Sequence, residues 1–188
     1  MGQQITLAFA FTLRRRLVER AGTPIAGSGL HAPPTPQAIA ALAPADLLAI
    51  QFSRQKAAYL ISAARLIAGG QLDIENLSTL SATRAERTLL ALRGLGPWSV
   101  NYIMMRALGF ADCVPYGDTG LTSGLKTLFN LAIRPDAAVT RRLMHPFSPH
   151  RTLATAHLWQ LIQPQPRPQP PAPDSPKPRP ATTKLGKG

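Results

Sequence analysis

The 188-residue sequence is poor in several residue types, and each scarcity excludes a class of protein. Its single cysteine, Cys113, can form neither an internal disulfide nor a four-cysteine zinc or iron–sulfur site. A reducing, cytoplasmic location therefore fits, and we expect neither a metal nor another cofactor. No apolar run reaches the ~18 residues that span a bilayer. The short apolar stretch near the N-terminus runs into Arg14, Arg15 and Arg16 without a cleavage site of small residues, unlike a secretory signal.

Acidic residues are also scarce. The chain has 9 Asp and Glu residues against 21 Lys and Arg residues, which gives a formal net charge of +12. A surplus of this size is typical of proteins that bind a polyanion, most often nucleic acid. An anionic membrane is the rival partner, but no segment is apolar enough to span one, and we expect no membrane association.

Composition divides the chain into two parts. Residues 163–188 contain nine of the 19 prolines, five Lys or Arg residues and one Asp, which predicts a disordered basic tail of polyproline character. Weak attraction to phosphate is the simplest role for such a tail, and docking of a proline-binding partner is the alternative. Residues 1–162 show helical spacing of apolar residues and no alternating strand. They predict a single all-α domain of eight to ten short helices.

Capping and stop residues locate several of these helices. Thr35 and Ser53 are predicted N-caps, and Gly69–Gly70 ends the helix that Ser53 begins. The letters "TRAE" at 83–86 predict a capping box at the start of a helix that leads to Arg93. Further helices are predicted over 3–20, 97–108, 119–130, 135–144 and 150–162.

The letters "GLGPW" at 94–98 separate two of these helices and predict a helix–hairpin–helix. Glycine tolerates a positive φ and lets the backbone approach another molecule, and Pro97 suits a first helical position, where no N–H is needed. The N–H groups of such a turn and of the following helix form a cradle for a phosphate, independent of base sequence. A plain αα-hairpin without a ligand is the alternative, and the net charge favours binding to the DNA backbone.

The stretch "LRGLGPWSVNYIMMRALG", followed by "CVPYGDTGL", resembles the signature of the helix–hairpin–helix DNA glycosylases with a Gly/Pro-Asp loop, the HhH-GPD superfamily. The likeness is strongest to the DNA-3-methyladenine glycosylase II branch, which removes alkylated bases. It runs from "GQQITLAF" through "FSRQKAAYL" to "PFSPHRTLATAHLW". The resemblance implies a helix–hairpin–helix glycosylase bundle and a monomeric, nucleoid-associated enzyme of base excision repair. Its implied partner is double-stranded DNA that contains alkylated bases.

The resemblance also implies roles for individual residues. Asp118 matches the catalytic aspartate, and Trp98 occupies the position at which lyase-active relatives carry a catalytic lysine. Without that amine no Schiff base with the sugar can form, which implies a monofunctional enzyme that leaves the strand intact. Base-pocket positions match Trp98, Tyr102 and Trp159, and DNA-binding positions match Gly94, Leu95, Gly96, Pro97, Gln3, Gln4 and Arg151.

The chemistry of alkylated purines suits these residue types. A base that already carries positive charge is a good leaving group, so an electron-rich pocket and one carboxylate near the anomeric carbon are sufficient. Aromatic faces hold a cationic base at about 0.5–2 kcal/mol per contact, once the base has swung out of the duplex. This one carboxylate can stabilise oxocarbenium-like charge and orient or deprotonate water. Ordinary glycosidases need a pair of carboxylates for the reaction.

Each of these assignments has a simpler structural alternative. Asp118 follows a glycine and could cap the next helix, alone or in addition to catalysis. The aromatic side chains could be core packing, which is the commoner fate of a tryptophan on an apolar helix such as Trp159. Gln3 and Gln4 could belong to a frayed terminus, and Arg151 could be a solvated surface charge.

Two other function classes stay open: a non-catalytic helix–hairpin–helix module that binds duplex DNA, and a glycosylase for another lesion, such as oxidised guanine or mispaired adenine. The absence of the catalytic lysine, and of the iron–sulfur cysteines that some members of the family carry, weighs against the second. In the family, "GQQ" is preceded by further helices and in some members by a β-rich domain, whereas Met1 directly precedes it here. We therefore expect an N-terminally short domain with uncovered apolar surface on "ITLAFAF".

Overall fold

The computed structural model describes residues 7–163, which form a helical domain with one small sheet. The predictions for Gln3 and Gln4, for the proline-rich tail and for its boundary lie outside the described residues or at their edge. Within the described range the helices are α1 (Leu7–Ala21), α2 (Pro36–Ala40), α3 (Pro44–Ala49), α4 (Arg54–Ala68), α5 (Ile74–Leu77), α6 (Ala82–Leu90), α7 (Pro97–Arg106), α8 (Thr119–Leu128), α9 (Ala137–Met144) and α10 (Arg151–Leu161).

The predicted all-α class and the helix–hairpin–helix are both present in this arrangement, with α6 and α7 flanking the glycine turn. Two of the predicted helix starts are confirmed in detail. Thr35 Oγ1 accepts the N–H of Ala38 at 3.2 Å, and Ser53 Oγ accepts the N–H of Lys56 at 3.3 Å. Gly70, just beyond the end of α4, has a φ of +74°, a backbone conformation that favours glycine.

The predicted capping box at 83–86 is wrong. Helix α6 begins at Ala82, and the N-cap is Ser81, whose backbone is extended with φ −61° and ψ 148°. Thr83 therefore lies inside the first turn, where it cannot act as the cap residue. The same helix ends at Leu90, so the segment up to Arg93 belongs to the turn.

Two strands and two short helices were not predicted. Strands β1 (Thr23–Ile25) and β2 (Leu30–Ala32) form an antiparallel hairpin in a range for which no strand was predicted, with Thr23 opposite Ala32. Helices α3 and α5 are six and four residues long. Elements of this length contain too few residues to show a hydrophobic period, which is why the pattern did not reveal them.

Three groups of buried apolar side chains hold the helices together. One group lies beneath the hairpin and joins α6 and α7 to the following loop, and it includes Ala85, Leu89, Val100, Met104 and Cys113. A second group joins that loop to α8, α9 and α10, and it consists of Val114, Leu121, Leu125, Met144 and Leu158. The third packs α3 on α4 through Leu47, Ala57 and Ile61. Two of the three groups thus meet at the loop between α7 and α8.

Helices α8 and α10 approach closely at a glycine. A Cβ atom on Gly124 would lie 2.5 Å from the carbonyl oxygen of Leu158, so any larger residue would push the two helices apart. The close approach brings Trp159 on α10 to the N-terminal end of α8. Among residues 7–163, no helix has the length and apolarity needed to cross a membrane.

Candidate active site

Asp118 ends a tight turn and caps α8. Its backbone N–H donates to the carbonyl of Pro115 at 3.0 Å, and Gly117 supplies the positive φ of +89° in this turn. Its Oδ1 atom accepts the N–H of Leu121 at 2.7 Å, the contact of an N-cap residue. The structural alternative for Asp118 is therefore real, but it accounts for only one of the hydrogen bonds to this carboxylate.

Two tryptophans donate to the same carboxylate. The indole Nε1 of Trp159 lies 2.8 Å from Oδ1 of Asp118, and the indole Nε1 of Trp98 lies 3.2 Å from Oδ2. Trp98 is the second residue of α7, and Trp159 lies 41 positions after Asp118 in the sequence. Both indoles are half-buried, and each N–H has found a charged acceptor, so neither tryptophan is merely apolar packing.

Tyr102 completes an aromatic group with Trp98 and Trp159, which we call the aromatic trio. Tyr102 lies one turn after Trp98 on α7, and the two rings stack with centroids 5.4 Å and planes 22° apart. The ring of Trp159 lies 5.8 Å from that of Tyr102 and is tilted by 41°. Tyr102 stays 37% exposed, so the trio forms a partly open aromatic wall beside the carboxylate. The predicted aspartate and the three predicted aromatic residues thus form one cluster.

Gly120 is part of this cluster, although the sequence analysis did not single it out. A Cβ atom at this position would lie 2.9 Å from Cδ1 of Trp159 and 3.0 Å from Oδ1 of Asp118. The glycine therefore makes room for the indole to reach the carboxylate. A signal was available, because glycine in the first turn of a helix is unfavourable unless something packs against it.

The loop that carries Asp118 is held from both sides by two further residues that the sequence analysis missed. Asn101 on α7 accepts the N–H of Val114 at 3.3 Å through Oδ1, and its Nδ2 donates to Glu86 at 3.2 Å. On the opposite side, Oγ1 of Thr152 accepts the N–H of Cys113 at 3.0 Å. Asn101 is a polar residue within the apolar run "SVNYIMM", and this is the only sequence feature that marks it. No sequence feature marks Thr152.

Arg151 lies against this loop as well, in a bidentate contact with Asp112. Its Nε and Nη2 atoms are 2.6 and 2.7 Å from the two carboxylate oxygens. This contact, reinforced by the hydroxyl of Ser148, lowers the pKa of Asp112 from 3.8 to about 2. Arg151 is thus not a solvated surface charge. Its predicted contact with DNA stays a prediction, because the guanidinium already has a carboxylate partner.

The turn between α6 and α7 is the segment predicted to be a backbone cradle for phosphate, and phosphate binding there stays a prediction. Gly94 has a φ of +98°, and Pro97 takes the first position of α7, as predicted. Gly96 is the N-cap of α7 and has no side chain to cap this helix, and apart from its chain neighbours no described atom lies within 4 Å of its Cβ position. The N–H of Leu95 donates to the carbonyl of Leu92 at 3.1 Å, so this group is already bonded within the turn.

Cys113 is buried beneath the loop, where it packs as a small hydrophobe. Burial, followed by the nearby carboxylates of Glu86 and Asp112, raises the pKa of its thiol to about 11. The thiolate required of a nucleophile is therefore not formed at neutral pH. Among residues 7–163, no group of three His, Cys, Asp or Glu side chains is placed to hold a metal ion.

A glycine hairpin between two helices, followed by a capping aspartate that aromatic residues surround, defines a class of DNA repair proteins. The chain belongs to this class: the model of the HhH-GPD superfamily of base excision DNA repair proteins matches residues 1–149. The resemblance inferred from the sequence is confirmed. So is the fold class to which it pointed.

Individual relatives point to one branch of the superfamily. The chain is 37% identical over 164 residues to a DNA-3-methyladenine glycosylase of Bacillus subtilis (strain 168), a match that covers 86% of this chain and 54% of the relative. The chain thus spans about half the length of that protein.

Two solved structures share the fold. A Schizosaccharomyces pombe 3-methyladenine DNA glycosylase in complex with abasic DNA matches with a TM-score of 0.71 and 26% identity, over 85% of this chain and 74% of the other. A 3-methyladenine DNA glycosylase from Archaeoglobus fulgidus matches with a TM-score of 0.74 and 24% identity, over 84% of this chain and 53% of the other.

Proposed function

We propose that this protein is a monofunctional DNA glycosylase that removes alkylated bases from double-stranded DNA in base excision repair. The observation that carries the proposal is the carboxylate of Asp118, held between two indole N–H groups beside an aromatic wall. The relationship to 3-methyladenine glycosylases supports an alkylated base as the substrate. The substrate is a duplex with an alkylated purine, and the products are the free base and an abasic site.

In this proposal the aromatic trio receives the base after it has swung out of the duplex. Unstacking costs a few kcal/mol, and a cation over an aromatic face returns about 0.5–2 kcal/mol per contact. The exposed edge of Tyr102 gives access to the wall formed by the trio. A positively charged, alkylated base is therefore bound in preference to a neutral one.

The two carboxylate oxygens of Asp118 have different roles in this proposal. Oδ1 accepts the N–H of Leu121 and the indole N–H of Trp159, so both lone pairs of that oxygen are occupied. Oδ2 accepts only the indole of Trp98 among the described residues, so it retains acceptor capacity for a water molecule. We assign to Oδ2 the stabilisation of positive charge on the sugar and the orientation of the attacking water.

Breakage of the DNA strand is not part of the proposed reaction. A lyase step needs an amine that forms a Schiff base with the sugar, and Trp98 fills the position of that amine in lyase-active relatives. Within residues 7–163, the lysines are Lys56 and Lys126. Lys126 lies seven residues beyond the first residue of α8, roughly 10 Å farther along the helix axis.

The chain offers a matched pair of variants to test the role of Asp118. Asp136 caps α9 with the same contact, from the N–H of Val139 to Oδ1 at 2.8 Å, and no indole of the described residues donates to it. Asp118→Asn and Asp136→Asn each remove one negative charge from an N-cap. We expect the first to lower the rate of base release from methylated duplex DNA by about 10²–10³. The second should keep the wild-type rate.

Both variants should keep the helical circular dichroism of the wild type, because asparagine also caps helices. Asp118→Asn should bind undamaged duplex as well as the wild type does or more tightly, since a negative charge has gone. Equal and near-normal base release by the two variants would show that Asp118 only caps α8. Absence of base release from the wild type as well would make the non-catalytic DNA-binding module the better description.

Borohydride trapping tests the absence of a lyase step. The enzyme is incubated with a duplex that carries one abasic site, and the products are resolved on a denaturing gel. We expect an intact strand and no covalent adduct, because Trp98 fills the position of the lysine that would form the Schiff base. A trapped adduct, or nicks at the rate of base release, would show a bifunctional enzyme instead.

A further inference from the structure

A groove lies beside the turn between α6 and α7, between this turn and helix α4. Its volume is about 420 Å³, and it is lined by Arg54, Gln55, Ala58, Tyr59, Ser62 and Arg93. Four of these residues recur at positions 55, 58, 59 and 62, so they share one face of α4. We call it the α4–hairpin groove. It is separate from the candidate active site, because neither Asp118 nor any residue of the aromatic trio lines it.

Positive charge dominates this groove. Arg54 and Arg93 are its charged residues, and both are exposed. Among residues 7–163, the arginines paired with carboxylates are Arg15, Arg20 and Arg151. The charges of Arg54 and Arg93 are therefore not neutralised by an acidic side chain of the described protein, and an anion is the natural ligand.

The side chains of the groove are fixed relative to the hairpin turn. The Cζ atom of Arg93 lies 5.9 Å from the ring centroid of Tyr59, and Nε2 of Gln55 donates to the Tyr59 hydroxyl at 2.7 Å. A Cβ atom on Gly94 would lie 2.2 Å from Cδ2 of Tyr59, so the turn rests directly on this ring. Tyr59 thus sets the distance between the arginines and the backbone cradle of the turn.

We propose that the α4–hairpin groove is a second phosphate site of the protein, which holds a backbone phosphate of the DNA strand gripped by the hairpin turn. The turn binds phosphate through backbone N–H groups, whereas the groove binds it through Arg54 and Arg93. The inference rests on the proposed function in assuming a DNA partner. It does not depend on base release. Such a contact fixes the position of the protein on the strand and reads no sequence.

The salt dependence of binding to undamaged duplex DNA tests the site. Each phosphate contact contributes about 0.9 to the slope of log affinity against log salt concentration. We expect Arg54→Gln and Arg93→Gln each to reduce the slope by up to this amount, and to weaken binding on the order of tenfold at about 0.05 M salt. Arg93→Lys keeps the charge and should retain most of the slope.

Arg65→Gln is the control, since it removes the same charge from the same helix. Arg65 lies 11 residues after Arg54, roughly 16 Å along α4 and outside the groove. Its loss should leave the slope unchanged. If the groove variants match Arg65→Gln in slope and affinity while all remain folded, the groove is not a phosphate site. Because the duplex is undamaged, that result would not bear on base release, and a failure of base release would not bear on the groove.

Discussion

The carboxylate of Asp118 accepts three N–H groups, and two of them come from aromatic rings that also form the wall of the site. Trp98 and Trp159 therefore combine two properties that are separable by mutation. In the proposed mechanism the faces of the rings offer an electron-rich surface to a cationic base, while their N–H groups hold the carboxylate in place. Gly120 is the residue that permits this arrangement, since a methyl group there would contact both Asp118 and Trp159.

Phenylalanine variants separate the two properties. Trp98→Phe and Trp159→Phe keep an aromatic face and remove one N–H each. A hydrogen bond to a charged group contributes roughly 1.5 kcal/mol or more, so we expect each variant to lower kcat for base release by about tenfold or more. KM should change less, because it reflects binding of the DNA and base. Steady-state rates on a methylated duplex provide the measurement, and wild-type kcat in both variants would show that only the rings matter.

The loop between α7 and α8 is the element on which the site depends. Asn101 holds it to α7, and Thr152 and Arg151 hold it to α10. Helix α10 in turn packs on α8 at Gly124, where there is no room for a side chain. The position of Asp118 is therefore defined by contacts between elements that are far apart in the sequence.

The contact between Arg151 and Asp112 makes the stability of this element depend on pH. The pKa of Asp112 is lowered in the folded protein from 3.8 to about 2, chiefly by Arg151. The contact therefore stabilises the fold fully above about pH 4, and the stabilisation is lost as pH falls towards 2. We expect Asp112→Asn to unfold at a lower temperature than the wild type at pH 7, and the gap to close near pH 2. Thermal unfolding followed by circular dichroism measures this difference in unfolding temperature. A difference that is constant with pH would contradict a stabilising contact between Arg151 and ionised Asp112.

The whole chain carries a net charge of +12, and the proline-rich end contributes five basic residues and one aspartate to it. A protein of this charge should bind duplex DNA with an affinity that falls steeply with salt. Removal of residues 163–188 should weaken binding modestly, reduce the salt slope and leave the helical circular dichroism signal intact. Fluorescence anisotropy of a labelled duplex measures the salt slope of the whole chain and that of the shortened chain. An affinity that is flat between low and physiological salt would contradict the electrostatic interpretation, and loss of the helical signal would show that the proline-rich end is structural.

Prediction from sequence succeeded where the structure depends on close neighbours in the chain. Thr35, Ser53 and Asp118 cap helices through contacts only three residues away, and the glycine turn before Pro97 needs no distant partner. It failed at Thr83, because Ser81 and Thr83 are both suitable N-cap residues and the helix begins after Ser81. It also failed at α3 and α5, because four to six residues are too few to show a period.

The amino-acid sequence by itself determined the helical class, the hairpin, the excess of positive charge and the identity of a carboxylate that follows the hairpin, since these rest on composition and on spacings of a few residues. Tertiary structure alone decided that Trp159, 41 residues beyond Asp118, donates to it, and that Arg151 pairs with Asp112. The reason is physical. Contacts between distant residues depend on how closely helices pack, and here that closeness depends on the missing side chains of Gly120 and Gly124.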